Sequence, residues 1–209
     1  MPGTFEKLAP TQRHVRSGGP LFVSGDPFGS LYSVHSGFFK TITLDGDGHG
    51  QVTGFHMAGD LLGLDGIGSG RYQLTATALE DSVVAVMPYA LVEALSCEAP
   101  DLQRELHIAL SREIAREHRL MLVLGSMRAE QRLATFLVNL SRRFRRRGYS
   151  ASDFHLRMTR ADIGSYLGMT LETVSRLFSR LQEHGIVEVR QRRVRLIDAD
   201  RLQAIAAPA

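Results

Sequence analysis

MTRADIGSYLGMTLETVSRLFSRLQEHG, residues 158–185, reads as two short helices meeting at a tight turn. Ile163, Leu167, Met169, Val174 and Leu177 fall where two crossing helices share a small core, and Phe178 and Leu181 continue that apolar stripe. Gly164 removes side-chain bulk at the crossing, and Gly168 permits the turn. Thr159 with Asp162 forms a capping-box pattern for the first helix, and Thr170 is the N-cap expected for the second, over residues 170–183. The stretch therefore predicts a helix-turn-helix. Each feature is weak alone; their order makes the combination specific.

Opposite the apolar stripe lie Glu172, Arg176 and Ser179, flanked by Ser175 and Arg180. A recognition helix offers such groups to the major groove near its N-terminus. Arg176 suits a bidentate bond to guanine, and Glu172 accepts from cytosine N4. Ser175 and Ser179 reach bases or phosphates; Thr170 and Arg180 support contacts to the backbone. The competing reading is an ordinary solvated helix face. Downstream, IVEVRQRRVRLI (186–197) alternates on both sides of a basic turn, which predicts a β-hairpin wing. Arg190, Arg192 and Arg193 on it would meet the DNA backbone and add affinity rather than sequence choice.

The charge distribution agrees with a polyanionic partner. Residues 1–99 hold five Lys and Arg against ten Asp and Glu, whereas residues 100–209 hold twenty against twelve. The net charge of +3 conceals this asymmetry. Glycine divides the chain in the same way: fifteen of twenty lie in residues 1–70, among short alternating segments such as LFVSG, SLYSVHSGFFKTITL and GQVTGF. Turns such as SGDPFGS and LDGDGHG separate them. Many short strands with frequent turns predict an antiparallel sandwich or barrel to about Met87.

From Pro100 the periodicity turns helical, without Gly or a further Pro until Gly125. His107, Leu110, Ile114, Glu117, Met121 and Leu124 are spaced as a heptad seam, which favours a partner helix and hence a homodimer. Glu117 is a misfit in that stripe, since in a parallel pair it would face its twin. A second helix, about Ala129 to Arg146, carries Leu133, Phe136, Leu137 and Leu140 on one face and ends in SRRFRRRG, read as a solvated helix end or a phosphate contact. Three segments follow: 1–99, a sensor domain; 100–127, a dimerisation helix; and 128–209, a DNA-binding domain.

Several classes are disfavoured. No apolar run approaches the ~20 residues of a membrane helix, and MPGTFEKL has no secretory pattern, so a cytoplasmic location without membrane contact is expected. Cys97 is the single cysteine, which leaves no internal disulfide and no cysteine-only metal site. It follows an apolar stretch with no nearby cation to activate it as a redox switch. There is no His-x-His motif, nucleophile–base pair or phosphate-cradling loop, so an enzyme is not expected.

With ETVSR at 172–176, the chain resembles the CRP/FNR superfamily of bacterial transcription regulators, and its FNR-type branch in particular. LYSVHSGFFK, TGFHMAGDLLGLDGIGSG, AEQRLATFLVNLSRRF and the helix-turn-helix with its hairpin carry the resemblance in order over nearly the whole chain. It implies an α+β architecture: an N-terminal antiparallel β-roll like a cyclic-nucleotide-binding domain, a long dimerisation helix, and a C-terminal winged helix-turn-helix. It also implies that Glu172, Ser175 and Arg176 read a TTGAT…ATCAA palindrome, with Leu171 where the cyclic-AMP branch has another base-contacting arginine. The loop of Leu44, Asp45, Asp47 and His49 corresponds to the surface that FNR-type activators present to the RNA polymerase sigma subunit, although His49 replaces an acidic residue there.

The resemblance fails at the signal. FNR-type oxygen sensors hold an iron–sulfur cluster with N-terminal cysteines and one in the β-roll; this sequence has no N-terminal cysteine, and Ala85 stands at the internal position. Tyr72-Gln73 replaces the Arg-Ser that holds a cyclic-nucleotide phosphate, and Gly63-Leu64 replaces the Gly-Glu that engages its ribose. No cofactor is therefore predicted. A haem-bound or other ligand sensor on the same fold is the alternative, with His56 and His107 as candidate ligands.

Overall fold

The computed structural model describes residues 11–44 and 50–207. They form two compact units divided between Arg116 and Glu117. The first holds β1 (Thr11–Val15), β2 (Pro20–Phe22), β3 (Ser30–Ser36), β4 (Phe38–Leu44), β5 (Gly50–Met57), β6 (Leu61–Leu62), β7 (Thr75–Ala78) and β8 (Ser82–Pro88). These make two antiparallel four-stranded sheets, ordered β1-β8-β3-β6 and β2-β7-β4-β5. Alternate side chains on a strand take opposite faces. Tyr32 and Val34 of β3, Phe39 of β4, Ala76 of β7 and Val84 of β8 accordingly share a core with Phe22 and Tyr72. Leu31 and Met87 point the other way, into a second cluster with Val92 and Leu102. This is a β-roll.

Val92 and Leu102 belong to helices α1 (Tyr89–Glu98) and α2 (Pro100–Ser126). Proline at the first helical position of α2 sacrifices no hydrogen bond, because that amide has no intrahelical partner anyway. At 27 residues, α2 is about 40 Å long. The division between the two units falls inside it.

The second unit continues with α3 (Ala129–Arg146), β9 (Asp153–His155), α4 (Arg160–Leu167), α5 (Leu171–Glu183), β10 (Val187–Arg190), β11 (Arg193–Leu196) and α6 (Ala199–Ala206). Leu133, Ala134, Phe136, Leu137 and Leu140 bury one face of α3, and α6 packs against that helix through the fully buried Leu202. The three strands form a small antiparallel sheet, β10-β11-β9. Helices α1 and α6 and strand β9 are absent from the sequence reading. They are short, and each is held by packing or pairing with distant residues.

Candidate nucleic-acid interface

The two helices of residues 158–185 fold by local chemistry. Thr159 Oγ1 accepts from the Asp162 amide at 3.0 Å, and Asp162 Oδ2 accepts in return from the Thr159 amide at 2.9 Å. Two otherwise orphaned N–H groups are thereby satisfied at the start of α4. The helix ends at Gly168 in the left-handed region, φ 62°. The chain then doubles back so closely that the Met169 amide reaches the Gly164 carbonyl at 2.8 Å. A Cβ on Gly164 would lie 2.5 Å from the Met169 carbonyl oxygen, so glycine is a steric requirement there. Thr170 Oγ1 then caps α5 by accepting from the Thr173 amide at 3.2 Å.

On α5, Val174, Phe178 and Leu181 are buried, while Glu172, Arg176, Ser179 and Arg180 are exposed and Ser175 is half-buried. Positions three and four apart share a helix face, so these five side chains form one polar strip within the first three turns. Glu172 accepts from its own backbone N–H and from the Thr170 hydroxyl, and Arg176 adds a favourable charge; together they hold its carboxyl below the usual value. Ionised, it is an acceptor only. Arg176 donates to Thr173 Oγ1 at 3.3 Å, which keeps its guanidinium near the helix N-terminus. Arg180 makes a long ion pair with Glu130, 3.9 Å.

Two arginines unnoticed in the sequence brace this strip. Arg160, at the start of α4, lies against the Phe178 ring of α5, its guanidinium carbon 3.4 Å from the ring centroid. Burial pushes its pKa down to about 10, and its Nη1 has no hydrogen-bond partner among the described residues. Arg132 of α3 donates to the carbonyls of Leu124 (2.7 Å), Met127 (2.9 Å) and Leu167 (3.0 Å). The helix-turn-helix spacing contained no sign of either. Arg132 sits inside an apolar periodic stretch, where a lone cation reads as surface.

The hairpin β10–β11 pairs Arg190 with Arg193 across a two-residue turn, Gln191-Arg192, with Gln191 at φ 55°. The structure divides the three expected backbone-contact arginines. Arg192 is exposed at the turn. Arg190 is paired with Glu188 at 2.7 Å, and Arg193 forks onto Asp153, with Nε 2.8 Å from Oδ1. That fork raises the arginine's pKa and lowers the aspartate's.

The residues of the expected seam on α2 do not share one environment. Ile114 (53 %) and Met121 (60 %) are exposed, as are His107 and Glu117, but Leu110 and Leu124 are half-buried. Ile108 and Leu122 (59 %), outside the heptad stripe, are exposed instead. At 3.6 residues per turn one exposed face runs through Ile108, Ser111, Ala115, His118, Leu122 and Gly125, with Ile114 and Met121 at one edge. Glu117 lies about a third of a turn off its centre.

In the β-roll, Tyr72 is buried, stacks on Phe22 with ring centroids 4.1 Å apart, and donates to the Ser30 carbonyl at 2.8 Å. Burial is the main reason its hydroxyl is held far above its ordinary pKa. The amides of Gln73 and Leu74 both donate to Asp65 Oδ2, at 2.8 and 3.0 Å. The Tyr72 hydroxyl and the Gln73 and Leu74 amides are thus all engaged by protein groups. His56, the candidate haem ligand, is buried with Nε2 3.2 Å from Thr41 Oγ1 and Nδ1 3.4 Å from Arg116 Nη1. An arginine only donates, so Nδ1 must use the lone pair that an iron would need. His107 is exposed on α2, and Cys97 is exposed and unpaired. Leu44 ends β4 in an exposed position; Asp45, Asp47 and His49 lie outside the described residues.

Comparison with known proteins places the chain among similar molecules. A Crp-like helix-turn-helix domain matches residues 131–205, and a cyclic nucleotide-binding domain matches residues 12–96. The transcriptional regulatory protein btr of Bordetella pertussis is 44 % identical over 201 residues, covering 96 % of this chain and 83 % of that one. The fumarate and nitrate reduction regulatory protein of Salmonella typhimurium is 42 % identical, covering 97 % of this chain and 81 % of its own. Among solved structures, FixK2 from Bradyrhizobium japonicum superposes with a TM-score of 0.87 at 33 % identity, covering 95 % of this chain and 98 % of that one.

Proposed function

The chain belongs to the CRP/FNR family of bacterial transcription regulators, and we propose that it works as a homodimer whose paired α5 helices read a TTGAT…ATCAA-like palindrome. It is an FNR-type, DNA-binding regulator. In the proposed complex, Arg176 reads guanine, Glu172 accepts from cytosine, and Ser175 reaches a base beside them. Thr170, Ser179 and Arg180 hold the phosphates around the half-site. Arg192 takes the backbone beside the wing, with Arg190 and Arg193 contributing what their acid partners leave.

The observation that carries this reading is a polar strip on a capped and packed helix. Glu172, Ser175 and Arg176 project from a helix capped at Thr170 and packed through Val174, Phe178 and Leu181, which supports the base-reading role by fixing the backbone they stand on. The dimer is supported by the exposed Ile108, Ile114, Met121 and Leu122 along α2. The face centred on positions 111, 115 and 118 is a better seam than the heptad read from spacing, because it leaves Glu117 at the border, where its charge stays in water.

Activation through contact with the polymerase sigma subunit at Leu44, Asp45, Asp47 and His49 is part of the proposal, as is a cytoplasmic location. Among the described residues, no helix is long and apolar enough to cross a membrane. We assign no cofactor and no catalytic activity. The engaged ring nitrogens of His56 weigh against the haem-sensor alternative.

The test is binding to the palindrome and to scrambled duplex at several salt concentrations. Arg176→Ala is expected to cost about 1–3 kcal/mol on the palindrome and little on scrambled DNA. Equal losses on both would remove the base-reading role.

A further inference from the structure

The basic run at the end of α3 remains outside the interface described so far. Arg143 and Arg147 are half-buried, and Arg147 Nη1 donates to the Arg143 carbonyl at 3.2 Å, a usual role for cations at a helix C-terminus. Arg142, Arg145 and Arg146 differ. All three are exposed, and their spacing puts them on one face of the last turns, opposite the buried Leu137, Leu140 and half-buried Phe144. Cations so close disfavour one another. Residues 131–161 contain a single acid, Asp153, and its carboxylate is committed to Arg193. Within that span no other carboxylate is available to the three.

This patch is continuous with the wing. Phe144, between the arginines, stacks on Phe154 of β9 with ring centroids 5.2 Å apart, and Ser141 Oγ donates to the Ala151 carbonyl just before that strand. Strand β9 pairs with β11, placing His155 opposite Arg193, and the Leu156 amide donates to the Arg192 carbonyl at the wing turn. Three residues of strand, about 10 Å, therefore connect the wing turn to the place where α3 ends.

We propose that Arg142, Arg145 and Arg146 form a second, sequence-independent phosphate contact, holding duplex DNA that extends past the wing beyond each half-site. The inference rests on the reading of α5 as the helix that enters the groove. Duplex DNA carries one charge per ~1.7 Å of axis, so a row of arginines spaced along a helix turn meets successive phosphates without regard to sequence. The bound segment is thus longer than the palindrome itself.

The experiment compares the full chain with its Arg142→Gln/Arg145→Gln/Arg146→Gln variant on two duplexes. One ends at the palindrome's edges; the other continues by about one helical turn, ~10 base pairs, on each side. Affinity is read by fluorescence anisotropy over a salt series, and a thermal melt verifies that the variant is folded. Wild type should bind the longer duplex more tightly and with a steeper salt slope. The variant should lose that gain, its slope falling by about 0.9 for each phosphate contact removed, with short-duplex affinity unchanged. Single Arg142→Gln and Arg146→Gln proteins should each lose a share. Arg192→Gln should weaken both duplexes.

A wild type indifferent to length, or a variant that keeps the gain or loses equally on both duplexes, overturns the proposal. So does unchanged DNA binding combined with reduced transcript in a reconstituted reaction, which would assign the patch to an acidic protein partner. If wild type fails to prefer the palindrome to scrambled duplex, the base-reading role of α5 falls instead. The length dependence on scrambled DNA then still decides the arginines.

Discussion

Arg132 donates through Nη1 to the carbonyl oxygen of Leu167 at 3.0 Å, tying the first turns of α3 to the last residue of α4. The same guanidinium takes the carbonyls of Leu124 and Met127, where α2 comes to its end. Helix C-termini leave four carbonyls without intrahelical partners. One planar fork here satisfies orphans from two helices at once, so the end of α2 and the first helix of the reading head are anchored to a common point.

Arg132→Lys keeps the charge and loses the fork. It should lower unfolding free energy by about 1–3 kcal/mol, measured by urea denaturation. DNA affinity should fall without any change in relative preference among half-site variants, because Arg132 touches no base. A changed preference would mean that the latch sets the pose of α5 rather than its rigidity.

Glu172→Gln replaces an acceptor by a group that also donates. Discrimination at the cytosine position should fall by about 1–3 kcal/mol while other positions keep theirs. The pH dependence has a definite sign. Since the carboxyl is held below its usual value, its acceptor role should persist as pH falls through the ordinary glutamate pKa and fade only below it. Thr170→Val removes one of the hydrogen bonds and should move that loss to higher pH in a selectivity titration.

Leu122→Asp places a charge in the exposed face of α2 and should yield monomers by sedimentation equilibrium, whereas Glu117→Ala should leave the dimer intact. A tighter dimer in Glu117→Ala, with Leu122→Asp still dimeric, would instead favour the heptad seam of His107, Leu110, Ile114, Glu117, Met121 and Leu124.

The Asp153 carboxyl is held below its ordinary pKa chiefly by the hydrogen bonds of Arg193. Its folded pKa is therefore lower than its unfolded one. The stabilisation is fully present above the unfolded value, about 3.9, and is lost as pH falls through the folded pKa. Asp153→Asn should flatten the acid limb of a melting-temperature profile and leave the neutral region little changed, as befits an exposed pair.

Gly164→Ala should be costly despite the gain in helix propensity. Its Cβ would lie 2.5 Å from the backbone oxygen of Met169, which belongs to the turn itself. A loss of about 1–3 kcal/mol is expected, visible as a lower melting temperature, with DNA affinity reduced because the turn sets the angle of α5.

Much of the fold was readable because its determinants are local. The boundaries of α3 at Ala129 and Arg146 coincide with the periodic stretch, and the Thr159–Asp162 capping box and the Gly168 turn occur where the spacing put them. Helix α6 escaped notice because a single buried residue, Leu202, anchors it to α3, and one leucine makes no period. Strand β9 escaped because three residues carry no alternation and exist as a strand only through pairing with β11.

The sequence alone determined the kind of molecule: caps, turns and apolar stripes act over three to seven residues, a range within which chemistry and spacing are visible along the chain. Tertiary structure decided which charged groups are committed. Arg193 looks equivalent to Arg192 in the sequence, yet the fold brings Asp153, forty residues earlier, to it. It also decided which side of α2 is left open, because each stretch of the helix is buried within its own unit, through Leu102 in the first and Val123 in the second. Ion pairing and burial depend on distance in space, and a linear spacing rule records distance only along one helix or strand.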